Sequence, residues 1–209
     1  NGYSVSAWIK IDSSFVSDGG IFTNDNHPNS GILYGLEFRL NSTRKLRIDK
    51  GDGTGRFGSD LRQATTTETV PLNTWTHVTF VLPSATNTTW QIYINGVAST
   101  MTTGGSGGAV GYSSVYSGGI ARHRAGFFVG KIDQVSIFNY ALPATGTNSV
   151  ATLYGGGTAI TNPMSLSPKP IAYYQLGDQS VDNGAKYLVP NNSLSDFVFS
   201  FNGSSSEID

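Results

Sequence analysis

The sequence predicts an all-β protein, because strand-type alternation recurs along the chain while helical periodicity is almost absent. The alternating segments are rich in β-branched and aromatic side chains. Clusters of Gly, Asn, Asp and Ser separate them, and Gly alone supplies 26 of the 209 residues. Many short strands with turn signals between them are typical of an antiparallel sandwich or barrel.

Nine segments carry the strand pattern. In chain order they are Tyr3–Ile11, Gly20–Thr23, Ile32–Leu40, Lys45–Lys50, Trp75–Leu82, Trp90–Ile94, Phe127–Phe138, Ile171–Gln175 and Phe197–Phe201. Between two of them, residues 41–44 fit a short hairpin. Asn95-Gly96 is a stronger turn signal, because a type I′ turn requires positive φ at both central positions.

One short helix and two long loops complete the prediction. The helix, Thr147–Tyr154, follows a proline and ends at three glycines, which accept the left-handed cap conformation. Gly51–Pro71 is polar and Thr-rich, and Thr102–Gly119 consists mostly of Gly, Ser and Tyr. Loops of this length usually carry function.

Composition excludes several classes of protein. Charged residues are 13% of the chain and the net charge is −1, so no basic field exists to bind nucleic acid. No apolar run reaches 18 residues, so membrane insertion is not expected. The absence of cysteine excludes disulfides, thiolate metal sites and a Cys nucleophile.

A catalytic centre is not expected. Glycosidases use two carboxylates, but the three glutamates, Glu37, Glu68 and Glu207, form no closely spaced acidic cluster. Glu37 and Arg39 share one side of a strand and are predicted to form an ion pair on a solvated face. A loop pair such as Asp25 with Asp60 keeps a glycoside hydrolase or polysaccharide lyase open as an alternative.

Loop aromatics are the leading candidates for ligand contact. Tyr112 and Tyr116 lie in the Gly/Ser loop, and Tyr gives large, rigid contact area at low entropy cost. Tyr34 and Phe57 would join them if their loops converge. The alternative is that the loop tyrosines only pin a long loop to the sandwich. The three tryptophans, Trp8, Trp75 and Trp90, sit in strand patterns and are predicted to pack in the core.

Histidines and arginines supply further candidates. His77 alternates with apolar residues in its strand and is predicted to pack there. His27 precedes a proline in a loop and is a candidate ligand contact. Arg122, His123 and Arg124 form a cationic run that could bind an acidic sugar or simply lie on a solvated rim.

Six segments, in order and spacing, carry a family resemblance. They are SVSAWIKIDS, GLEFRLNSTRKLRIDKGDG, LNTWTHVTFVL, WQIYINGV, GKIDQVSIFNYAL and ATLYGGG. Together they resemble the concanavalin A-like, laminin-G-like (LamG) domains of bacterial and phage surface proteins. The resemblance implies an antiparallel two-sheet jelly-roll sandwich. It also implies a non-catalytic recognition or adhesion module, extracellular or on a cell or virion surface, that binds glycans within a larger protein. Neighbouring domains or subunits would be its other partners, and a purely structural stalk or virion domain is the alternative.

The order of the last segments departs from that family. Pieces similar to the usual opening of the domain, AYYQLGD and FNGSSSEID, stand at the C-terminal end. In one interpretation the chain is a permuted single domain, 1–209. Residues 171–209 then contribute the opening strands, with Phe197–Ile208 beside Tyr3–Ile11. In the other, the chain is cut from tandem copies that complete one another by strand exchange.

An aspartate in an apolar strand suggests a metal. Asp133, in GKIDQVSIF, needs a partner if it is covered. The resemblance implies a structural Ca²⁺ where this aspartate meets an FDG turn, which here is FNG with Asn202 and Gly203. An amide in place of a carboxylate weakens such a site. The alternative is that Asp133 accepts hydrogen bonds from backbone N–H groups; a weaker second cluster would involve Asp18, Asp25 and Asp52.

Overall fold

The computed structural model describes residues 2–24, 32–56, 61–84, 90–105, 108–111, 118–123, 126–158 and 162–176, and the backbone of 181–182 and 187–188. Within these ranges the strands are β1 Tyr3–Ile11, β2 Gly19–Thr23, β3 Ile32–Leu40, β4 Leu46–Arg56, β5 Leu61–Thr66, β6 Trp75–Leu82, β7 Gln91–Ile94, β8 Val97–Ala98, β9 Met101–Gly104, β10 Gly119–Ile120, β11 Arg122–His123, β12 Gly126–Phe127, β13 Gly130–Phe138, β14 Ala172–Tyr174, β15 Val181–Asp182 and β16 Tyr187–Leu188. The helix α1 is Val150–Tyr154, and 3-10 turns occupy Gly155–Gly157 and Pro163–Ser165.

Two antiparallel six-stranded sheets form the predicted jelly-roll sandwich. The first sheet has the order β14-β13-β1-β6-β7-β8, and the second has the order β10-β2-β3-β4-β5-β9. The pairs β11-β12 and β15-β16 form two small ribbons. None of the helices in the described ranges has the length and hydropathy of a membrane-spanning segment.

The main core lies between the two sheets. Val5, Ile9 and Phe80 of the first sheet share one buried apolar cluster with Phe38 and Ile48 of the second. The rings of Phe38 and Phe80 lie 6.0 Å apart across the interface. Burying each such side chain stabilises the fold by about 1.5–3 kcal/mol.

A second, smaller core lies outside the first sheet. Here α1 packs Val150 and Leu153 onto Val81 and Phe138, which face away from the main core. Ser149 caps the helix by accepting a hydrogen bond from the Thr152 N–H, and the left-handed Gly155 ends it. The helix is therefore shorter than predicted, because the cap at Ser149 leaves 147–149 in a turn.

The predicted turns have the expected geometry. Asn95 and Gly96 have φ of 49° and 77°, as a type I′ turn requires, and join β7 to β8. In the β3–β4 hairpin, the Asn41 carboxamide oxygen accepts hydrogen bonds from the backbone N–H groups of Thr43 and Lys45.

The loop predictions were partly wrong. Within Gly51–Pro71, β4 continues to Arg56 and the Thr-rich segment forms β5, which pairs with β4 and β9. Threonine is β-branched and favours strands, so this polar segment forms an internal strand where a loop was predicted. Thr102–Gly119 begins in β9 and ends in β10. The long predicted strand Phe127–Phe138 is broken before Gly130, whose φ is 146°.

The predicted neighbour of β1 is also corrected. Hydrogen-bonded partners occupy both edges of β1, with β6 on one side and β13 on the other. The position beside Tyr3–Ile11 that was predicted for 197–208 is therefore filled. The earlier part of the C-terminal segment does join this sheet, because β14 pairs with β13. The predicted strand Phe197–Phe201 lies outside the described residues.

Candidate functional site

Two rows of side chains cross the outer face of the first sheet. Since Ile9 and Ile11 point into the main core, Trp8 and Lys10 point outward. The register places Asp133, Trp8 and His77 side by side in one row. It places Lys131, Lys10 and Trp75 in the next row.

Helix α1 and its following turn cover only part of this face. The Tyr154 ring stacks on Trp8 at 6.0 Å and also lies 6.0 Å from the His77 ring. The glycine turn that follows ends at Gly157. Within the described residues, the end of the helix therefore covers part of the first row, while Trp75 in the second row is exposed.

A cavity of about 300 Å³ lies at this boundary. It is lined by Trp8, Trp75, Asp133, Gly157 and Thr158, and we call it the tryptophan cavity. Two indole rings supply apolar walls, and one carboxylate supplies hydrogen-bond acceptors. Concave apolar surfaces with a few fixed polar groups are the usual form of small-ligand sites.

One of the three tryptophans does not pack in the core as predicted. Trp8 and Trp90 are buried, as predicted, but the Trp75 side chain is 40% exposed. Strand alternation puts Trp75 on the same face as the buried His77. Among the described residues, Tyr154 covers Trp8 and His77, and no ring contact of this kind reaches Trp75. The Trp8 Nε1–H is enclosed and has no hydrogen-bond partner among the residues that the structure describes.

A β-bulge turns Asp133 toward the cavity. Counting back by twos from the inward-facing Val135 would put Asp133 inside the main core. The register shifts between Ser6 and Trp8, and Gln134 takes a φ of 48°. This extra residue brings Asp133 opposite Trp8 on the outer face, where its Oδ1 accepts the Gln134 N–H at 2.7 Å.

The described residues supply little of a calcium site. Among them, no group of three His, Asp or Glu side chains is arranged to hold a metal ion. Calcium binds six to eight oxygen ligands, and of the ligands predicted for the Asp133 site only Asp133 itself lies among the described residues. Asn202 and Gly203, the other predicted ligands, lie outside the described residues. Asp18 from the second cluster is held by Arg39, and Asp25 lies outside the described ranges.

The predicted aromatic rim is described only in part. Tyr34 lies over Gly53, where a Cβ would come within 2.4 Å of its ring. The segment before Tyr112 is bound to the same strands, because the Gly35 N–H donates to the Gly111 carbonyl at 2.7 Å. Tyr34 thus lies beside the entry to the Gly/Ser loop, while Tyr112 and Tyr116 themselves fall outside the described residues.

The other predicted contacts are not brought to the cavity. Arg122 is exposed on β11, beside the second sheet, whereas Asp133 lies on the first. Of His123 only the backbone is described, and His27 and Phe57 lie outside the described residues. None of these four side chains therefore gives evidence for a site.

The outer face of the second sheet carries a dense charge cluster. Glu37 and Asp49 are direct cross-strand partners, and Arg39 lies between them. Arg39 Nε is 3.0 Å from Asp49 and 3.6 Å from Glu37, and its guanidinium also contacts Asp18. Arg47 binds the other oxygen of Asp49 at 2.8 Å.

This cluster corrects the prediction of a solvated ion pair. Glu37 and Arg39 are each only 3% exposed. The two carboxylates have the cross-strand proximity that a glycosidase uses. Arginine nitrogens engage both oxygens of Asp49.

His77 packs as predicted. It is buried, its Nε2 shares a 2.7 Å hydrogen bond with Ser6 Oγ, and its ring lies 5.2 Å from Trp8. Burial lowers the pKa of His77 to about 3, because the charged imidazolium loses its water. The ring is therefore neutral at pH 7 and supports Trp8 from within the fold.

The sequence contained part of the signal for the tryptophan cavity. In SAWIK, Trp8 and Lys10 share one face, and in GKID the same alternation puts Lys131 and Asp133 on one face. The sequence does not show that β13, β1 and β6 are neighbours. Only the sheet order shows this, and it brings together residues more than 50 positions apart. The sequence did not predict the register, that is, which residues of these three strands lie side by side.

Comparisons with solved structures return the same fold. A proposed carbohydrate-binding protein from Bacteroides ovatus shares 18% identity, with a TM-score of 0.56, over 89% of this chain and 48% of that one. This chain thus spans about half of that protein. The CBM40 domain of the Ruminococcus gnavus IT-sialidase, bound to α2,3-sialyllactose, shares 10% identity, with a TM-score of 0.53, over 68% of this chain and 77% of that one. No curated protein matches the chain.

The family comparison covers most strands of both large sheets. The laminin G model described as "Concanavalin A-like lectin/glucanases superfamily" matches residues 1–146, which span β1 to β13 and therefore both large sheets. This match covers well over half of the 209 residues. The chain belongs to the concanavalin A-like lectin/glucanases superfamily.

Proposed function

We propose that this chain is a non-catalytic carbohydrate-binding module and that the tryptophan cavity holds its ligand. The observation that carries the proposal is the half-exposed Trp75 beside Trp8 and Asp133 around a 300 Å³ cavity. An indole face offers a flat apolar surface for the C–H face of a sugar ring. The Asp133 carboxylate can accept hydrogen bonds from sugar hydroxyls.

The size of the cavity limits what it can bind. A volume of about 300 Å³ has room for one or two sugar rings and no more. A single small site of this kind binds weakly, and a millimolar dissociation constant corresponds to only about −4 kcal/mol. The module would therefore depend on neighbouring copies or domains for avidity.

Two further considerations support this assignment. Two fold relatives with TM-scores above 0.5 are a proposed carbohydrate-binding protein and a CBM40 domain bound to a sialylated sugar. In the described part of the chain, the opposed carboxylates Glu37 and Asp49 are occupied by arginines, which favours recognition over catalysis. We place the module in a larger extracellular protein of a cell or virion surface.

A glycan-array experiment tests the proposal with matched variants. Trp75→Ala should reduce binding at least about tenfold, because it removes one apolar wall. It should cost only about 1 kcal/mol of stability, because Trp75 is already half solvated. Phe127→Ala is the control, since Phe127 is an exposed aromatic residue that does not line the cavity.

Three outcomes would contradict the proposal. Loss of binding in the double variant Tyr112→Ala/Tyr116→Ala, with none in Trp75→Ala, would move the site to the predicted loop. Ordered self-assembly with no glycan bound would favour a structural domain. Turnover of a polysaccharide, abolished by one carboxylate substitution, would identify an enzyme.

A further inference from the structure

Two lysines lie directly opposite each other beside the tryptophan cavity. Lys10 on β1 and Lys131 on β13 are cross-strand partners on the outer face of the first sheet. Like charges in this position destabilise a sheet. Neither ammonium makes an ion pair or hydrogen bond with any residue in the described ranges.

The lysine pair is continuous with the cavity. Lys10 is also the cross-strand partner of Trp75, and Lys131 precedes Asp133 by two positions on the same strand. The two cations therefore lie beside this sugar-sized space without lining it, and Asp133 is the neighbour of Lys131 on the same face of β13. Together with Asp133 they give this part of the face a net charge of +1, although the whole chain carries −1.

From this arrangement we infer that the ligand is an acidic glycan whose carboxylate or sulfate group binds Lys10 and Lys131 while its ring stacks on Trp75. The inference rests on the proposed function, because it names the ligand class of the same cavity. An anion between the two ammoniums would remove their mutual repulsion and form charge-assisted hydrogen bonds. Asp133, two positions after Lys131 on β13, would then accept hydrogen bonds from ring hydroxyls near the anionic group.

The test compares glycan pairs that differ only in the anionic group. Suitable probes are cello-oligosaccharides with their C6-oxidised and C6-sulfated forms, alongside equivalent pairs of other linkages on one array. Wild-type protein should bind the acidic member roughly three- to tenfold more strongly than the neutral member. The preference should weaken with added salt. Comparing the oxidised with the sulfated form identifies which anion the pair prefers.

Two double variants assign this preference to the pair. Lys10→Gln/Lys131→Gln should bind both members equally and keep the affinity for the neutral one. Its thermal stability should equal or exceed that of the wild type, since a repulsion has been removed. Lys45→Gln/Lys169→Gln removes the same charge elsewhere and should keep the preference.

The two proposals fail in different ways. Equal binding of acidic and neutral glycans by the wild type would overturn the inference and leave the proposed function intact. A preference that survives in Lys10→Gln/Lys131→Gln would do the same. Absence of all glycan binding, or full binding by Trp75→Ala, would overturn the proposed function itself.

Discussion

The outer faces of the two sheets use charged residues in opposite ways. On the second sheet, Arg39 is surrounded by carboxylates, and Asp49 by arginines, so the charges satisfy one another. On the first sheet, Lys10 and Lys131 face each other beside an open cavity and bind nothing in the described part of the chain.

This difference separates structure from recognition. A ligand must displace an existing partner before it can bind a charge that is already paired. An unpaired charge beside an apolar wall instead gains a partner when a ligand binds. A count of charged residues would rank the second face higher as a site. The hydrogen-bond and ion-pair partners favour the first.

The largest expected effect is the loss of stability when the charge cluster on the second sheet is disrupted. Arg39→Met leaves Asp49 and Glu37 without their shared cation in a buried position, which should cost about 3–5 kcal/mol of unfolding free energy. Urea unfolding followed by tryptophan fluorescence measures this loss. Glycan binding per folded molecule should be unchanged.

Arg47→Met is the matched control. Arg47 contacts the same carboxylate but is more exposed, so its loss should cost about 1 kcal/mol or less. Equal costs for the two variants would show that Arg39 is no more important than a surface ion pair. Loss of glycan binding in folded Arg39→Met would show that the second face takes part in recognition.

The sequence predicted the strands with an apolar face well and the features of the outer faces less well. The bounds of β1, β3 and β6 were predicted residue for residue, because one of their faces is apolar and alternation marks it. Strand β5 was missed because threonine and glutamine occupy its outward positions. The exposure of Trp75 could not be predicted, since it depends on where α1 and its glycine turn stop over the sheet.

The second prediction concerns the support beneath the first face. His77 has a native pKa of about 3 and an ordinary value of 6.5, so the unfolded chain binds more protons between these two pH values. Stability should therefore fall as the pH drops below 6.5, by roughly 1.4 kcal/mol per unit from this residue, and be level above 6.5.

Urea unfolding of wild type and His77→Gln between pH 4 and 7 isolates this contribution. The variant keeps a polar group for Ser6 but does not titrate, so its stability should fall less steeply with acid. The difference between the two slopes is the quantity to compare, because the carboxylates contribute equally to both proteins. Parallel slopes would mean that His77 is protonated as easily in the fold as in the unfolded chain.

The smallest expected effect concerns calcium at Asp133. With one carboxylate among the described residues and an amide at Asn202, any site would be weak, and Ca²⁺ at ten times its dissociation constant would stabilise the fold by about 1.4 kcal/mol. Melting curves with Ca²⁺ and with chelator should differ by a few degrees in the wild type and not in Asp133→Asn. Identical curves in the wild type would rule the ion out. Asp133 would then serve the first face only through the cavity, as an acceptor for sugar hydroxyls beside the lysine pair.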